Sequence, residues 1–376
     1  MPQTLKLAVS QSHTLSTLSE TLAALKTTAE SAASKGVDIL LFPEAYLGGY
    51  PRTCSFGAAI GSRSEEGREQ FLQYYRGSVD LGDTNIGEAD GWLQRKLPVD
   101  PETGRRGDGT REFLEQVANQ TGVFVVTGLV ERTSTGSLFC AALYICPKRG
   151  VIGKRRKLMP TGSERLVWSQ GTAGSLKVVT ATIKGVKVVM GCAICWENMM
   201  PLLRYSLYSQ AVNLWLAPTA DPRDTWGALV QTIAMEGRCF VMSANQCQKR
   251  SQLPEWITTT QAQIEGERPS RRKSVTTKEN HEIALPSGKN EKKVNGDSTI
   301  ADMKDEYVSR GGSCIVSPMG QFVKAPVWEN SDELITADVD FDTCVRGKLD
   351  FDAAGHYSRY DAFKFSVEGL DLRPPP

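Results

Sequence analysis

Residues 186–198 read V-K-V-V-M-G-C-A-I-C-W-E-N. The first half is a run of β-branched and apolar residues, too short for a buried helix and ended abruptly by polar ones, which predicts a buried strand. That strand delivers Cys195 at its carboxyl end, the edge at which an open α/β sheet holds its chemistry. A thiol so placed, followed by Trp196, Glu197 and Asn198, can act as a nucleophile whose oxyanion is met by backbone N–H groups of the turn. The competing reading is an inert packing cysteine, the usual state of a buried thiol. Cys192, earlier in the same strand, is expected to be one.

Working outward from this strand, the chain alternates strands and helices. Residues 5–10 predict a first strand, and 18–33 an amphipathic helix with Leu18, Leu22, Leu25 and Ala29 on one face. Thr17 and Glu20 form a capping box at its start, and Gly36 closes it. Residues 37–42 predict a second buried strand, followed at once by Pro43 and Glu44. A carboxylate directly after an apolar strand is partly desolvated, which raises its pKa toward the range of a general base. The alternative is that Glu44 merely accepts hydrogen bonds from nearby loop N–H groups. Residues 64–76 read as helix, 83–108 as surface loop with short helix, and 111–121 as helix. Strands follow at 122–130 and 138–146, joined by a turn at 133–136.

Next comes G-K-R-R-K-L-M-P-T at 153–161. Such a charge run is usually a solvated face, and as a nucleic-acid patch it is short and lacks interleaved aromatics. In the functional alternative one lysine points inward to hold a developing negative charge, with Glu164 orienting the ammonium of Lys157. The residues leave both readings open. Beyond Cys195, helices are predicted at 200–212 and 226–236, and strands at 213–217, 238–244, 311–318 and 334–340. Residues 248–307 are poor in large apolar side chains and read as an insertion, largely disordered. This alternation predicts an α/β layered sandwich.

At 376 residues and 40% hydrophobic composition, the chain can bury a substantial core in one large domain or two. A net charge of +1 gives no electrostatic reason to expect nucleic acid or an anionic membrane as partner. No stretch is long and apolar enough to span a bilayer, and the first residues enter a strand pattern without a secretory signal. Nine cysteines, an odd number scattered along the chain, point to reduced thiols and a cytoplasmic location. Cys192 and Cys195 have Cys-x-x-Cys spacing, but they lie in an apolar strand with no second pair and no clustered histidine. No metal or cofactor is therefore expected. His13, His281 and His356 carry no motif that would set one beside Cys195.

F-P-E at 42–44, R-K-L-M-P-T at 156–161 with Glu164-Arg165, and C-W-E-N at 195–198 resemble, in order and spacing, the three signature segments of the nitrilase branch of the carbon–nitrogen hydrolase superfamily. The resemblance runs from Leu7 to Asn245 and resumes from Gly311 to Phe363. It implies a four-layer αββα sandwich that dimerises face to face and often grows into filaments. One domain would then span 1–365, interrupted by the insertion at 248–307, with a tail at 366–376. Glu44 is implied as general base, Lys157 as the cation that stabilises the intermediate, Glu164 as the supporting carboxylate and Cys195 as the nucleophile. Tyr50, Thr161, Trp168 and Trp196 fall at positions that resemble the family's substrate pocket.

The implied reaction converts a small organic nitrile to its carboxylic acid and ammonia through a thioimidate and a thioester. The alternatives are a hydratase-like enzyme stopping at the amide, an amidase, or a non-catalytic interaction protein whose working part is the insertion. Intact Glu44, Lys157, Glu164 and Cys195 speak against the last. The chain departs from the family pattern at 171–174, in the insertion, and at Tyr360, where a proline is common. These departures bear on assembly and substrate range. Ser274, after Arg271-Arg272-Lys273, is a candidate for phosphorylation.

Overall fold

The computed structural model describes residues 3–257, 306–331 and 334–376, with the short strands Ser274–Thr276 and Glu282–Ala284 between. In chain order the main elements begin with β1 (Thr4–Ser10), α1 (Leu18–Ser34), β2 (Ile39–Leu41), α2 (Glu65–Gly77) and α3 (Thr110–Thr121). A meander of β3 (Phe124–Arg132), β4 (Leu138–Cys146) and β5 (Gly150–Arg156) completes the first half. The second half contains β6 (Val179–Ile183), β7 (Val186–Cys192), α4 (Pro201–Tyr208), β8 (Leu214–Thr219), α5 (Thr225–Gly237) and β9 (Phe240–Asn245). It ends with β10 (Cys247–Lys249), β11 (Tyr307–Val316), β12 (Phe322–Trp328) and β13 (Leu334–Asp340).

Two sheets result. The first has the spatial order β13-β1-β2-β3-β4-β5, the second β10-β11-β9-β8-β7-β6 with β12 beside β11. Each carries a parallel trio, β1-β2-β3 in one and β7-β8-β9 in the other. Parallel neighbours need crossover connections, and helical crossovers must lie on a sheet face. α1, α4 and α5 are such crossovers. The Thr17/Glu20 capping box starts α1 as expected, with the Glu20 N–H donating to Thr17 Oγ1 at 3.2 Å and the Thr17 N–H to Glu20 Oε2 at 3.0 Å.

The alternation of side chains along the strands sorts the core into layers. Leu5, Leu7, Val9, Ile39 and Leu41 of the first sheet share one cluster with Val188, Met190, Leu216 and Met242 of the second. Ala8, Leu40 and Val125 face the other way, against Leu25 and Ala29 of α1 and Leu114 and Val117 of α3. Trp215, Ala217 and Val241 do the same against α4 and α5 through Leu203, Leu207, Val230 and Ile233. The arrangement is helix, sheet, sheet, helix, the expected αββα sandwich.

Of the two readings open for the basic run, the structure takes the inward one: the run forms the end of β5 and the residue after it, and Arg155, Arg156 and Lys157 are all buried. Each lies within ion-pair distance of a carboxylate. The helix expected at 200–212 stops at Tyr208, and Ala211 turns left-handed before β8. β6 and β12 were not legible, being half-exposed edge strands without a clear apolar alternation. The start of the expected insertion is ordered: β10 pairs with β11, Leu253 and Ile257 are buried, and Trp256 stacks on Tyr74 at 4.7 Å between ring centroids. The rest of that expectation, at 258–273, 277–281 and 285–305, and the side chain of Ser274 lie outside the described residues. Among the described residues, no helix is long and apolar enough to cross a membrane.

Candidate active site

The carboxyl ends of β2, β5, β7 and β8 meet at one place between the sheets. β2 runs out into Phe42-Pro43-Glu44, and Ala45, at φ 49°, turns the chain away. Glu44 is fully buried. Its backbone passes so close to β3 that a Cβ on Gly128 would lie 2.2 Å from the Pro43 carbonyl oxygen, so only glycine fits there. β5 ends at Arg156, and the Lys157 N–H donates to the Cys140 carbonyl at 2.7 Å. That bond aims the Lys157 side chain into the site, where Nζ donates to Glu44 Oε1 and to Glu164 Oε2, each at 2.7 Å. Glu164 sits in the 3₁₀ turn Gly162–Leu166. Its Oε2 accepts the Thr161 N–H at 2.6 Å, and its Oε1 accepts the Tyr50 hydroxyl at 2.8 Å.

Cys195 comes from the other sheet. It follows β7 at φ 52°, a left-handed conformation that costs a non-glycine residue about 1–3 kcal/mol and persists only where its surroundings enforce it. Asn198 and Glu197 do the enforcing. Asn198 Nδ2 donates to the Ala193 and Cys195 carbonyls at 2.7 Å each, and its Oδ1 accepts Trp215 Nε1 at 2.8 Å. Glu197 accepts the Ile194 N–H at 2.8 Å and the Leu158 N–H at 2.5 Å, and Arg155 Nη1 lies 2.7 Å from its Oε2. The Thr219 hydroxyl, at the end of β8, donates to Cys195 Sγ at 3.3 Å.

Electrostatics divides the labour. Burial pushes the Glu44 carboxyl up to about 7; Lys157 pulls the other way, Glu164 adds to the rise, and hydrogen bonds from Lys157 and Cys195 ease it. Burial, reinforced by the Glu44 charge, pushes the Cys195 thiol up to about 12, against Lys157, the Thr219 hydroxyl and the Ala220 N–H. Burial works against the charge on Lys157, yet Glu44, Cys195, Cys140 and Glu164 hold it well above its ordinary range. At neutral pH this combination is a protonated thiol beside a half-titrated carboxylate and a permanent cation. A thiol of that kind needs a base, and Glu44 is poised at the pH where a base works best. Glu44 Oε2 is buried and accepts no hydrogen bond from the described residues, which leaves it free to take a proton.

A cavity of about 710 Å³ opens from Cys195, with Tyr50, Met159, Thr161, Trp196, Met200 and Arg223 in its wall. Trp196 stands at its mouth with Nε1 on Asp221 Oδ2 at 2.8 Å and the Arg223 guanidinium 4.7 Å from its ring centroid. Seven of the eight expected site residues thus reach the cavity or the bonded cluster around it, and the eighth, Trp168, packs behind that cluster with its ring centroid 5.5 Å from Lys157 Nζ. A bridge to Leu138 draws it under the sheet, where it is 3% exposed, packs edge-on to Tyr50 at 5.6 Å and donates from Nε1 to the Tyr74 hydroxyl. It backs Tyr50 without lining the cavity. Arg155, Thr219, Asp221 and Arg223 escaped the sequence reading. The signal for Thr219 and Asp221 was their place at the end of a buried strand, the same rule that singled out Cys195.

A profile of the carbon–nitrogen hydrolase family matches residues 6–348. A nitrilase of Bradyrhizobium diazoefficiens is 38% identical over 99% of this chain and 94% of its own length. An arylacetonitrilase of Trametes versicolor is 32% identical over 100% of this chain and 99% of its own. A bifunctional nitrilase/nitrile hydratase of Lupinus angustifolius is 34% identical over 91% of this chain and 79% of its own. Among solved structures, a carbon–nitrogen hydrolase of Helicobacter pylori superposes with a TM-score of 0.59 over 96% of this chain and 98% of its own, at 12% identity.

Proposed function

The chain belongs to the carbon–nitrogen hydrolase family, and from that premise we propose that it is a nitrilase, hydrolysing a small organic nitrile to the carboxylic acid and ammonia. One observation carries the reading: a buried, mutually bonded Glu44–Lys157–Glu164 cluster at the thiol of Cys195. The names of the relatives support nitriles as the substrate class.

In the reaction Glu44 takes the Cys195 proton as the sulfur attacks the nitrile carbon. An S–C bond forms, the carbon–nitrogen triple bond becomes a double bond, and the nitrogen receives the proton to give a thioimidate. Lys157, locked between two carboxylates, stabilises the charge that develops on the substrate. Glu44 next removes a proton from water, which adds to the same carbon. The tetrahedral adduct expels ammonia and leaves a thioester, and a second water releases the acid and restores the thiol. Glu164 and Tyr50 hold Lys157 in place. Thr161 and Trp196 shape the cavity for an apolar nitrile, since an aromatic wall favours such a ligand.

The chain acts as one domain, residues 1–365 with a tail at 366–376, in a cytoplasmic homodimer or larger homo-oligomer. The family resemblance supports the assembly, and the scattered, odd set of cysteines supports the compartment. The test is a nitrile panel with ammonia release and acid-to-amide ratio as readouts. Acid is the expected main product, lost on Cys195→Ala. Ammonia release that survives the substitution would overturn the reading.

A further inference from the structure

Arg52 directs its guanidinium beneath the loop that follows β8. Nη2 donates to the Ala220 carbonyl at 2.7 Å and to Ser309 Oγ at 3.1 Å, and the guanidinium lies 5.1 Å from the Tyr50 ring centroid. Ser309 is fully buried and donates in turn to Asn245 Oδ1 at 3.4 Å. Asn245 Nδ2 donates to the Asp221 carbonyl at 2.9 Å and the Gly311 carbonyl at 2.7 Å. The carbonyls of Ala220 and Asp221 are thus held by Arg52 and Asn245. The same loop serves the nucleophile: the Thr219 hydroxyl bonds Cys195 Sγ at 3.3 Å, and the Ala220 N–H eases the upward push on the Cys195 thiol.

A charge-assisted bond to a carbonyl is among the stronger anchors a loop can have. The cation also lies within the field of the site. Burial holds Arg52 below its ordinary range, while Tyr50, Cys195, Glu44 and Asp221 pull it back up. The Arg52 charge therefore acts on Cys195 and Glu44 in return.

We propose that Arg52 is a positioning residue of the reaction: by anchoring the Ala220 carbonyl it fixes the neighbouring Thr219 hydroxyl on the Cys195 sulfur. This rests on the nitrilase reading for its kinetic consequence. The effect on the thiol does not depend on that reading.

The experiment uses the full chain with Arg52→Gln and Arg52→Lys, and two readouts. The first is kcat and KM on a nitrile that the parent protein hydrolyses. The second is the pH profile of Cys195 alkylation by iodoacetamide, followed by mass on the peptide that contains it. Arg52→Gln is expected to lower kcat about 100-fold with KM within about threefold, the loss of an interaction made mainly in the transition state. Its alkylation profile moves about one unit to higher pH, because an opposite charge near a thiolate favours the charged form. Arg52→Lys keeps the cation without the fork and loses about tenfold in kcat.

Folded Arg52→Gln with kcat within threefold of the parent, or with an unmoved alkylation profile, would overturn the proposal. Should that variant fail to fold, Arg52→Lys decides: parental kcat, or an alkylation profile displaced despite the retained cation, overturns it, and kcat lowered about tenfold with a parental profile supports it. If the parent hydrolyses no nitrile, the nitrilase reading fails by itself, and the alkylation profiles still judge the role of Arg52.

Discussion

Lowering the pH from 7 to 5 is expected to remove nearly all activity while leaving the protein folded. The proposed base, Glu44, can work only when ionised, and its carboxyl is pushed up to about 7 by burial. One pH unit below that value leaves about one molecule in eleven with an ionised base, and two units leave about one in a hundred. kcat/KM therefore falls about tenfold per unit on the acid side. Stability moves in the opposite sense. The native carboxyl holds its proton more tightly than in the unfolded chain, whose carboxyl keeps the ordinary value of 4.5. Protonation thus favours the folded form: the contribution of Glu44 to stability is fully present below about 4.5 and is lost as pH rises through about 7. The assay is initial ammonia release between pH 5 and 9 on a neutral nitrile well below KM, with the melting temperature recorded at each pH. An acid limb centred near 4.5, or a flat profile to pH 5, would refute the account of Glu44.

Tyr50→Phe removes the 2.8 Å bond to Glu164 and frees the partner of Lys157. A hydrogen bond to a charged group is worth about 1.5–3 kcal/mol, so steady-state kinetics should show kcat down about tenfold or more with KM little changed. Gly128→Ala drives a methyl to 2.2 Å from the Pro43 oxygen and displaces the backbone that carries Glu44. Overpacking of this kind costs about 1–3 kcal/mol, read as a lower urea midpoint together with a fall in kcat. Trp196→Ala enlarges the cavity mouth and should reorder the ranking of nitriles by kcat/KM, bulky ones gaining. Trp168→Phe acts behind Tyr50 and should lower kcat for all nitriles alike, with the ranking kept.

The strands that carry the site were the legible part of this chain. Residues 37–42, 138–146 and 186–192 are apolar runs bounded by turn residues, and a strand buried on both faces looks like that whatever surrounds it. The carboxyl ends of the first and the third were readable as site candidates, at Glu44 and Cys195, by the rule for open α/β sheets. What escaped depends on tertiary partners. The run K-R-R-K at 154–157 has the composition of a solvated face; Glu164 was near enough in sequence to suggest itself for Lys157, but nothing local says that Glu131, Asp83, Glu197 and Glu44 lie in wait for the rest. Trp168 falls at a position that resembles the family's pocket lining, and only the bridge to Leu138 keeps it out of the cavity wall. Residues 248–257 read as disordered because the apolar side chains there are few, yet Trp256 and Ile257 suffice to pin the segment against Tyr74 and the core.

The same buried charges explain how the proposed nucleophile on one sheet keeps its place against the proposed base on the other. Glu44, Lys157 and Glu164 belong to the half of the chain that builds the first sheet, Cys195 and Thr219 to the second. Arg155 on β5 pairs with Glu197 in the turn that holds Cys195, at 2.7 Å and with both side chains almost wholly out of water. Glu197 also receives the backbone N–H of Leu158, the residue after Lys157, and of Ile194, the residue before Cys195. One carboxylate therefore ties the cation of the site to its thiol through the backbone on either side. Such a pair adds little net stability compared with apolar packing, but loss of one partner leaves a stranded charge at a cost of about 3–5 kcal/mol. A shear between the sheets that separated sulfur from base would first have to break this pair, so the geometry that catalysis needs is also the geometry that burial of these charges enforces.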